Sequence, residues 1–245
     1  MNYKNLEYLS ITELKKYASY MELNTEYVDK KKLVLDITNA LKEYEKYKDK
    51  KTSKYNKIKQ LGEQGKDGIT FLVETPKGEK LAMKTFKNSK SVDLIKEEAY
   101  LQSLAADQDI SPYIFEVDTV LKYIIMEKMD CHLKDVMKKQ NGNLTKSQQL
   151  AIIHIYEKLD IAKVFHGDAN ILNYMFFNNK LVIIDFGMSK EITPALIKKL
   201  GTSTPNMSIM LLGFVLKLKE LNCPESAYKY LTTYLSKEDR QKFKI

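Results

Sequence analysis

The chain has 245 residues and a formal net charge of +8, with 44% hydrophobic and 29% charged residues. This composition supplies enough apolar material for a core and excludes disordered, collagen-like and low-complexity chains. Two cysteines provide no disulfide framework, and lysine carries nearly all of the positive charge, since Arg240 is the single arginine. We therefore expect loose contacts of lysine with phosphates rather than base-specific reading of a DNA duplex.

Nothing in the sequence predicts a membrane contact. The longest apolar run covers residues 209–216, far short of the roughly 20 residues that a membrane-spanning helix needs. The opening segment MNYKNLEYLS lacks the apolar core of a signal peptide. We expect an intracellular, cytoplasmic protein with no membrane contact.

Residues 1–50 predict a helical hairpin. Apolar residues recur at helical spacing in two runs, 6–21 and 33–41. Ser10 and Glu13 have the spacing of a capping box at the start of the first helix. The segment 42–59 is almost entirely polar or tyrosine, so we expect a helix end followed by a linker.

Residues 54–128 predict a β-rich region. The runs ITFLVE and EKLAMKTF are separated by the turn signal PKG, and the helical stretch SVDLIKEEAYLQSLAA follows them. Two further strands are predicted at YIFEV and KYIIMEKM. From residue 129 onward most of the chain is predicted to be helical, apart from two short strands in NYMFF and KLVIID. Strands first and helices later predict an α+β protein with two lobes of unlike composition.

The segment HGDANILNYMFFNNKLVIIDFGMSK, residues 166–190, carries the strongest chemical signal. Asp168 is followed five residues later by Asn173, and Asp185 comes directly after an apolar strand. Two acids and an amide placed by a hairpin make an oxygen-rich cluster. Oxygen ligands of this kind suit Mg²⁺, which is normally held by one or two carboxylates together with substrate phosphates.

This segment resembles the protein-kinase family, whose catalytic loop H-x-D-x-x-x-x-N is followed by a hairpin and by D-F-G. Upstream, LAMKTF resembles the strand with the phosphate-binding lysine, LIKEEAYLQSL the helix with its glutamate partner, and IIMEKM the strand entering the hinge. The resemblance covers residues 54–216. It implies a two-lobed protein-kinase-like α+β domain, with a β-rich N-lobe at 54–128 and a reduced helical C-lobe at 129–245.

The resemblance implies a role for each matching residue. Asp168 would accept the proton of the substrate hydroxyl, and Lys84 would bind the α and β phosphates of ATP. Asn173 and Asp185 would hold Mg²⁺. These parts are sufficient in principle, because phosphoryl transfer depends on positioning and on charge neutralisation.

The same resemblance implies a glutamate partner for Lys84, and we prefer Glu97 to its neighbour Glu98. The preference depends on four apolar residues of this helix that we expect to be buried: Leu94, Ile95, Leu101 and Leu104. The backbone of Glu127 and Met129 would hydrogen-bond adenine.

The glycine-rich loop is the weakest match to the family. The family pattern is G-x-G-x-x-G, whereas this chain has L-G-E-Q-G-K-D-G, with one residue more between the first two glycines. We expect the backbone N–H groups around Gly62, Gly65 and Gly68 to lie over the phosphates.

Other departures leave three functions open. Gly167 and Asn170 replace the arginine and lysine that are usual in Ser/Thr protein kinases, and Asn170 stays among the candidate catalytic residues. HGD is also similar to the aminoglycoside and choline kinases, which act on small hydroxyl compounds but generally carry a larger C-lobe insert. We favour a minimal Ser/Thr protein kinase with a protein substrate. The alternatives are a small-molecule hydroxyl kinase and a nucleotide-binding pseudokinase scaffold.

The N-terminal segment has a resemblance of its own. LSITELKKYASYMEL followed by DKKKLVLDITNAL resembles a SAP-type helical hairpin, a small fold often linked to DNA. This implies nucleic-acid contact through residues 1–50. Lysine-rich, arginine-poor kinases of this make-up are similar to those of large DNA viruses, which would place the protein in a virion or in host cytoplasm.

Overall fold

The computed structural model describes residues 6–7, 9–21, 23–26, 29–52 and 54–245. These residues form eight α-helices and ten β-strands, so the chain is an α+β protein, as the sequence predicts. The chain divides into two compact units, which are residues 1–56 with 74–78 and residues 57–73 with 79–245. Within the described ranges, every helix is too short or too polar to cross a membrane.

The first unit contains two helices, α1 (Ile11–Tyr20) and α2 (Lys30–Thr52). The predicted capping box is present at the start of α1. The Ser10 N–H donates to the Glu13 carboxylate at 2.8 Å, and the Glu13 N–H donates to Ser10 Oγ at 3.3 Å. Both bonds satisfy backbone donors that a helix start leaves without partners. Five buried residues of this unit form a small apolar core: Leu6, Leu14, Ala18, Leu33 and Ile37.

Helix α2 is longer than the sequence analysis predicted. Residues 42–52, expected to be a helix end and linker, continue the helix to Thr52. Lysine and glutamate, which dominate this stretch, are good helix formers. Glu43 also pairs with Lys46 at 3.1 Å, one turn along the same face. The polar composition therefore indicated exposure correctly, but it did not indicate a break in the helix.

The larger unit contains most of a five-stranded sheet. Its strands are β1 (Asn56–Leu61), β2 (Gly68–Glu74), β3 (Lys80–Phe86), β4 (Ile114–Asp118) and β5 (Tyr123–Glu127). Their spatial order is β1-β2-β3-β5-β4, and β3 pairs antiparallel with β5, with Lys84 opposite Ile124. Helix α3 (Val92–Ala106) packs on this sheet through a buried apolar cluster that includes Ile95 and Ala99.

The rest of this unit is mainly helical. Its helices are α4 (Leu133–Lys139), α5 (Lys146–Ile161), α6 (Pro194–Leu200), α7 (Leu211–Glu220) and α8 (Lys237–Phe243). Its strands are short: β6 (Cys131–His132), β7 (Val164–Phe165), β8 (Tyr174–Phe177), β9 (Lys180–Ile183) and β10 (Lys190–Glu191). The predicted hairpin is present as the antiparallel pair β8–β9, and β10 pairs antiparallel with β7. These two pairings fix the ends of residues 166–173 and 184–189, which contain the sequence motifs.

Candidate active site

Lys84 lies at the centre of the candidate site. It is on β3, and its Nζ donates to Glu98 Oε1 at 2.6 Å and to Asp185 Oδ1 at 2.7 Å. Burial alone would lower the pKa of Lys84, but the charges of Glu98 and Asp185 outweigh this effect and hold the pKa above its usual value. The ammonium is therefore charged at neutral pH and sits between two carboxylates.

The glutamate partner of Lys84 is Glu98, so the preference for Glu97 was wrong. Helix α3 buries residues three, four and seven positions apart, among them Ile95, Glu98 and Gln102. Glu97 is exposed, because it lies two residues from Ile95 and about 200° around the helix from it. The expectation failed at Leu94, which is 52% exposed. Ile95 and Leu101 are buried, as the sequence analysis expected.

Asp185 reaches Lys84 through an unusual backbone turn. It follows β9 with φ 67° and ψ 76°, in the left-handed region, where aspartate is one of the few side chains found with some frequency. Phe186 next to it is fully buried and anchors the turn in the helical core. Burial would raise the pKa of Asp185, but the nearby Lys84 ammonium keeps that pKa below its usual value.

Asp168 is held by the loop that follows it. Its Oδ2 accepts the side-chain N–H of Asn173 at 2.9 Å, and its Oδ1 accepts the backbone N–H of Asn170 at 3.1 Å. The side chain of Asn170 faces the other way along the loop, where its Oδ1 accepts the N–H of Leu172 at 3.0 Å. Asn170 therefore caps a short 3₁₀ turn, a structural role that the sequence analysis did not consider.

A set of buried polar side chains holds the backbone of the segment that leads into this loop. We call Asp160, His166, Ser189 and Asn206 the loop support. Asn206 accepts the backbone N–H of His166 at 3.1 Å, and it donates to Asp160 at 2.7 Å and to the Val164 carbonyl at 2.7 Å. Ser189 Oγ donates to the His166 carbonyl at 3.1 Å. All four side chains are buried, so these bonds fix the backbone just before Asp168.

His166 is part of this support and is held neutral. Its Nε2 lies 3.0 Å from the Ile184 carbonyl, which can only accept, so Nε2 carries the proton. Burial outweighs the nearby acids and lowers the pKa of His166. The ring also packs edge-on against Phe186, with centroids 5.0 Å apart. His166 therefore joins the loop containing Asp168 to the turn containing Asp185.

Gly167 explains one departure from the family pattern. Its φ is 77°, and a Cβ atom there would lie 2.8 Å from the Met188 carbonyl oxygen. An arginine in this position would need both a strained backbone and a displaced Met188 segment. The glycine is thus a consequence of how closely residues 166–168 approach the segment after Asp185.

The three loop glycines have different roles. A Cβ atom on Gly68 would lie 2.0 Å from the Thr85 carbonyl oxygen, so glycine is required where β2 meets β3. Gly62 has φ 70° with open space around it. The Gly65 N–H donates to the Gly68 carbonyl at 2.9 Å. That donor is therefore used within the loop, which contradicts the expectation that it faces phosphates.

Of the two expected hinge residues, Glu127 ends β5 and Met129 lies two residues beyond it. The Glu127 N–H donates to the Tyr113 carbonyl at 3.0 Å, and the Glu127 carboxylate accepts the Tyr113 N–H at 2.9 Å. The Glu127 N–H and the Glu127 carboxylate are therefore both used within the fold. The Met129 N–H makes no hydrogen bond to any other residue that the structure describes, and its side chain is buried.

The donor set fits magnesium only with help from a phosphate ligand. Across the described residues, no group of three or more His, Cys, Asp or Glu side chains could hold a metal ion. Mg²⁺ usually takes one or two carboxylates and completes its shell with waters and substrate phosphates. Asp185 and the amide oxygen of Asn173 are suitable ligands for that arrangement. The Asn173 amide nitrogen is already turned toward Asp168, which leaves its oxygen for the metal.

Two residues that support this site carried no signal in the motif analysis. Asp160 falls on the buried face of α5, four residues after Tyr156, where an acid is unexpected. An acid on an otherwise apolar helix face indicates that a buried hydrogen-bond donor lies next to it. Asn206 follows Pro205 at the start of a π-helical turn and is fully buried, but nothing in its sequence neighbourhood indicates this.

Comparison with models of known protein families finds no match for the chain, and no curated protein is significantly similar to it. The functional argument therefore depends on the geometry of the site.

Proposed function

We propose that the chain is a Mg-ATP-dependent phosphotransferase with a two-lobed protein-kinase-like fold. Its proposed substrate is a serine or threonine hydroxyl of a protein. The observation that carries the proposal is the double contact of Lys84 with Glu98 and Asp185, which lie 14 and 101 residues away in sequence. A chance match of short motifs would not be expected to bring these three side chains together.

A second observation supports the same function. Asp168 and Asn173 are joined directly. His166 connects their loop to both neighbours of Asp185, through a hydrogen bond to the Ile184 carbonyl and a ring contact with Phe186. The reaction needs a hydroxyl-orienting acid, metal ligands and a phosphate-binding lysine in one place. The residues proposed for these roles are Asp168, Asn173, Asp185 and Lys84, and each lies on a segment held by defined hydrogen bonds.

In the proposed step, one bond to phosphorus forms as another breaks. The substrate oxygen forms a bond to the γ-phosphorus of ATP, the bond from that phosphorus to the bridging oxygen breaks, and ADP leaves. Asp168 accepts the hydroxyl proton on a carboxylate oxygen, oriented by the Asn173 amide. Lys84 holds positive charge beside the phosphates. Asp185 and the Asn173 amide oxygen would hold Mg²⁺, which would supply the remaining charge neutralisation.

Transfer of labelled γ-phosphate tests this proposal. The full chain is incubated with Mg²⁺ and labelled ATP, with generic protein substrates in one arm and with choline or an aminoglycoside in the other. We expect label on protein, and a loss of about 10³-fold or more in Asp168→Asn, because the substrate hydroxyl loses its proton acceptor. Asp135→Asn, an exposed acid on α4, is the matched control and should retain transfer.

The other outcomes separate the alternatives. Label on the small compound alone would favour a small-molecule hydroxyl kinase. Binding of Mg-ATP without transfer to either acceptor would contradict the enzymatic proposal and leave the scaffold. Equal activity of Asp168→Asn and wild type would refute the assignment of Asp168.

A further inference from the structure

A second lysine reaches the glutamate that holds Lys84. Lys90 lies in the connection between β3 and α3, directly before the helix cap Ser91. Its Nζ donates to Glu98 Oε2 at 2.5 Å and to Asp67 Oδ2 at 3.0 Å. The Lys90 side chain is only 7% exposed. None of the family motifs assigns a role to this residue.

The burial of Lys90 needs an explanation, because removing an ammonium group from water is costly unless it is well paired. Lys90 compensates with two carboxylate partners and with the ring of Phe86, whose centroid lies 4.8 Å from Nζ. A buried ion pair often adds little to the free energy of unfolding, since apolar residues of similar volume stabilise the fold about as well. Retaining a charge here therefore favours a role in orientation.

The contacts connect five side chains of alternating charge. We call the series Asp67, Lys90, Glu98, Lys84 and Asp185 the ion-pair chain. Each oxygen of the Glu98 carboxylate has its own lysine, with Oε1 at Lys84 and Oε2 at Lys90. The ion-pair chain joins the glycine-rich segment to α3, to β3 and to the turn after β9.

The three carboxylates of the ion-pair chain lie close together around Gly187. A Cβ atom placed on Gly187 would lie 3.2 Å from Asp67, 3.3 Å from Glu98 and 3.5 Å from Asp185. Three carboxylates around one glycine repel one another and would also repel a phosphate. With Lys84 and Lys90 both present, the charges of the five side chains sum to −1, and without Lys90 they would sum to −2.

We infer that Lys90 is a positioning residue for phosphoryl transfer, an inference that rests on the function proposed above. Lys90 holds one oxygen of Glu98, which leaves the other oxygen directed at Lys84. Through Asp67 it also ties the glycine-rich segment to the connection between β3 and α3. Lys90 acts through these partners and so governs how firmly Lys84 is presented to the phosphates of ATP.

Steady-state kinetics of the full chain test this inference. Lys90→Met keeps the length of the side chain without its charge, and Lys90→Arg restores the charge. Lys87→Met is the matched control, since among the described residues the Nζ of exposed Lys87 bonds one partner, the Lys66 carbonyl. We expect Lys90→Met to lose about tenfold to hundredfold in kcat/KM, with a higher KM for ATP and an unchanged KM for the protein acceptor. Lys90→Arg should recover much of this loss, and Lys87→Met should resemble wild type.

The KM values separate positioning from damage to the fold. Partial unfolding would reduce the number of active molecules and lower kcat while leaving the KM for ATP unchanged. A wild-type KM for ATP in Lys90→Met, with wild type active, would overturn the role of Lys90 and leave the proposed function intact. If Lys90→Met fails to fold, Lys90→Gln takes its place, with the same expected rise in KM. A wild type that neither binds Mg-ATP nor transfers phosphate would overturn both proposals.

Discussion

Two aspartates near the candidate site have opposite environments. Asp185 lies against the Lys84 ammonium, which keeps its pKa below the usual value. Asp160 accepts three hydrogen bonds from Asn206 and Met207, but its burial is the larger effect and raises its pKa. Asp185 belongs to the ion-pair chain and Asp160 to the loop support. One region of the site is therefore held by charges, and the other by buried hydrogen bonds.

This difference indicates that the two regions contribute differently to the reaction and to stability. The ion-pair chain places charge where phosphates would bind, so Asp185, its half-exposed end, should matter for the reaction more than for stability. The loop support fixes the backbone that presents Asp168, so its members should matter first for stability. Single substitutions in each region test this difference.

The largest expected effect is the loss of transfer in Asp185→Asn. The variant keeps the side-chain shape and suits the left-handed backbone, but it removes the charge that faces Lys84 and the proposed metal. We expect kcat to fall about 10³-fold, with a change in the free energy of unfolding of about 1 kcal/mol or less. Kinetics and urea denaturation measure the two quantities.

Asp160→Asn is the matched control for Asp185→Asn. Its amide nitrogen would face the Met207 N–H, so two donors would meet in a buried site. We expect a stability loss of about 1–3 kcal/mol, with kcat of the folded fraction retained. If the two variants behaved alike in both assays, the distinction between the regions would be wrong.

The next largest effect is the loss of stability in Asn206→Ala. The substitution removes hydrogen bonds to Asp160, Val164 and His166 and leaves a buried carboxylate with fewer donors. We expect a loss of about 2–4 kcal/mol in the free energy of unfolding. Asn88→Ala, at an exposed position, should change it by less than about 0.5 kcal/mol. A stable Asn206→Ala protein would show that this region does not depend on its buried bonds.

Local patterns made much of this site predictable. Strand β3 with Lys84, the hairpin β8–β9 and the spacing of Asp168, Asn173 and Asp185 all follow from short-range sequence signals. The error at Glu97 had a local cause. The buried face of α3 was assigned on the assumption that Leu94 is buried, whereas Leu94 is exposed. A phase set by Ile95 and Ala99 would have selected Glu98.

The partners of the supporting residues are determined by long-range contacts that no local pattern encodes, although Asp160 alone could have been noticed as an acid on a buried helix face. Asn206 meets Asp160 across 46 residues, and Lys90 meets Asp67 across 23. A buried lysine in a run of polar residues has the same local sequence as an exposed one. Its burial depends on how closely the glycine-rich segment approaches α3, which only the fold determines.

A smaller effect should come from His166 and depend on pH. The pKa of His166 is lowered in the folded chain, so below about pH 6.5 the unfolded chain binds a proton that the folded chain does not. Stability should therefore be independent of this group above that pH. It should fall by up to about 1.4 kcal/mol per pH unit below it. Urea denaturation at about pH 7.5, 6.5 and 5.5 measures this slope.

Two histidine variants identify the source of that slope. His166→Gln keeps a donor for the Ile184 carbonyl but cannot titrate, so the slope should disappear from a less stable protein. His154→Gln, at an exposed position on α5, should keep the wild-type slope. A slope that persists in His166→Gln would mean that another group takes up the proton.

The smallest expected effect is in Ser189→Ala, which removes a single bond from the loop support. Ser189 is buried, and its hydroxyl donates to the His166 carbonyl, so we expect a loss of about 1 kcal/mol and a fall in Tm of about 2–4 °C. In the control Ser103→Ala, the hydroxyl that is lost bonds the Ala99 carbonyl within α3, and the change should be close to zero. Transfer by folded Ser189→Ala should equal that of wild type, because the neighbouring bonds of Asn206 still hold the loop. Loss of transfer without loss of stability would instead place Ser189 with the charged residues, and the division between the two regions would no longer hold.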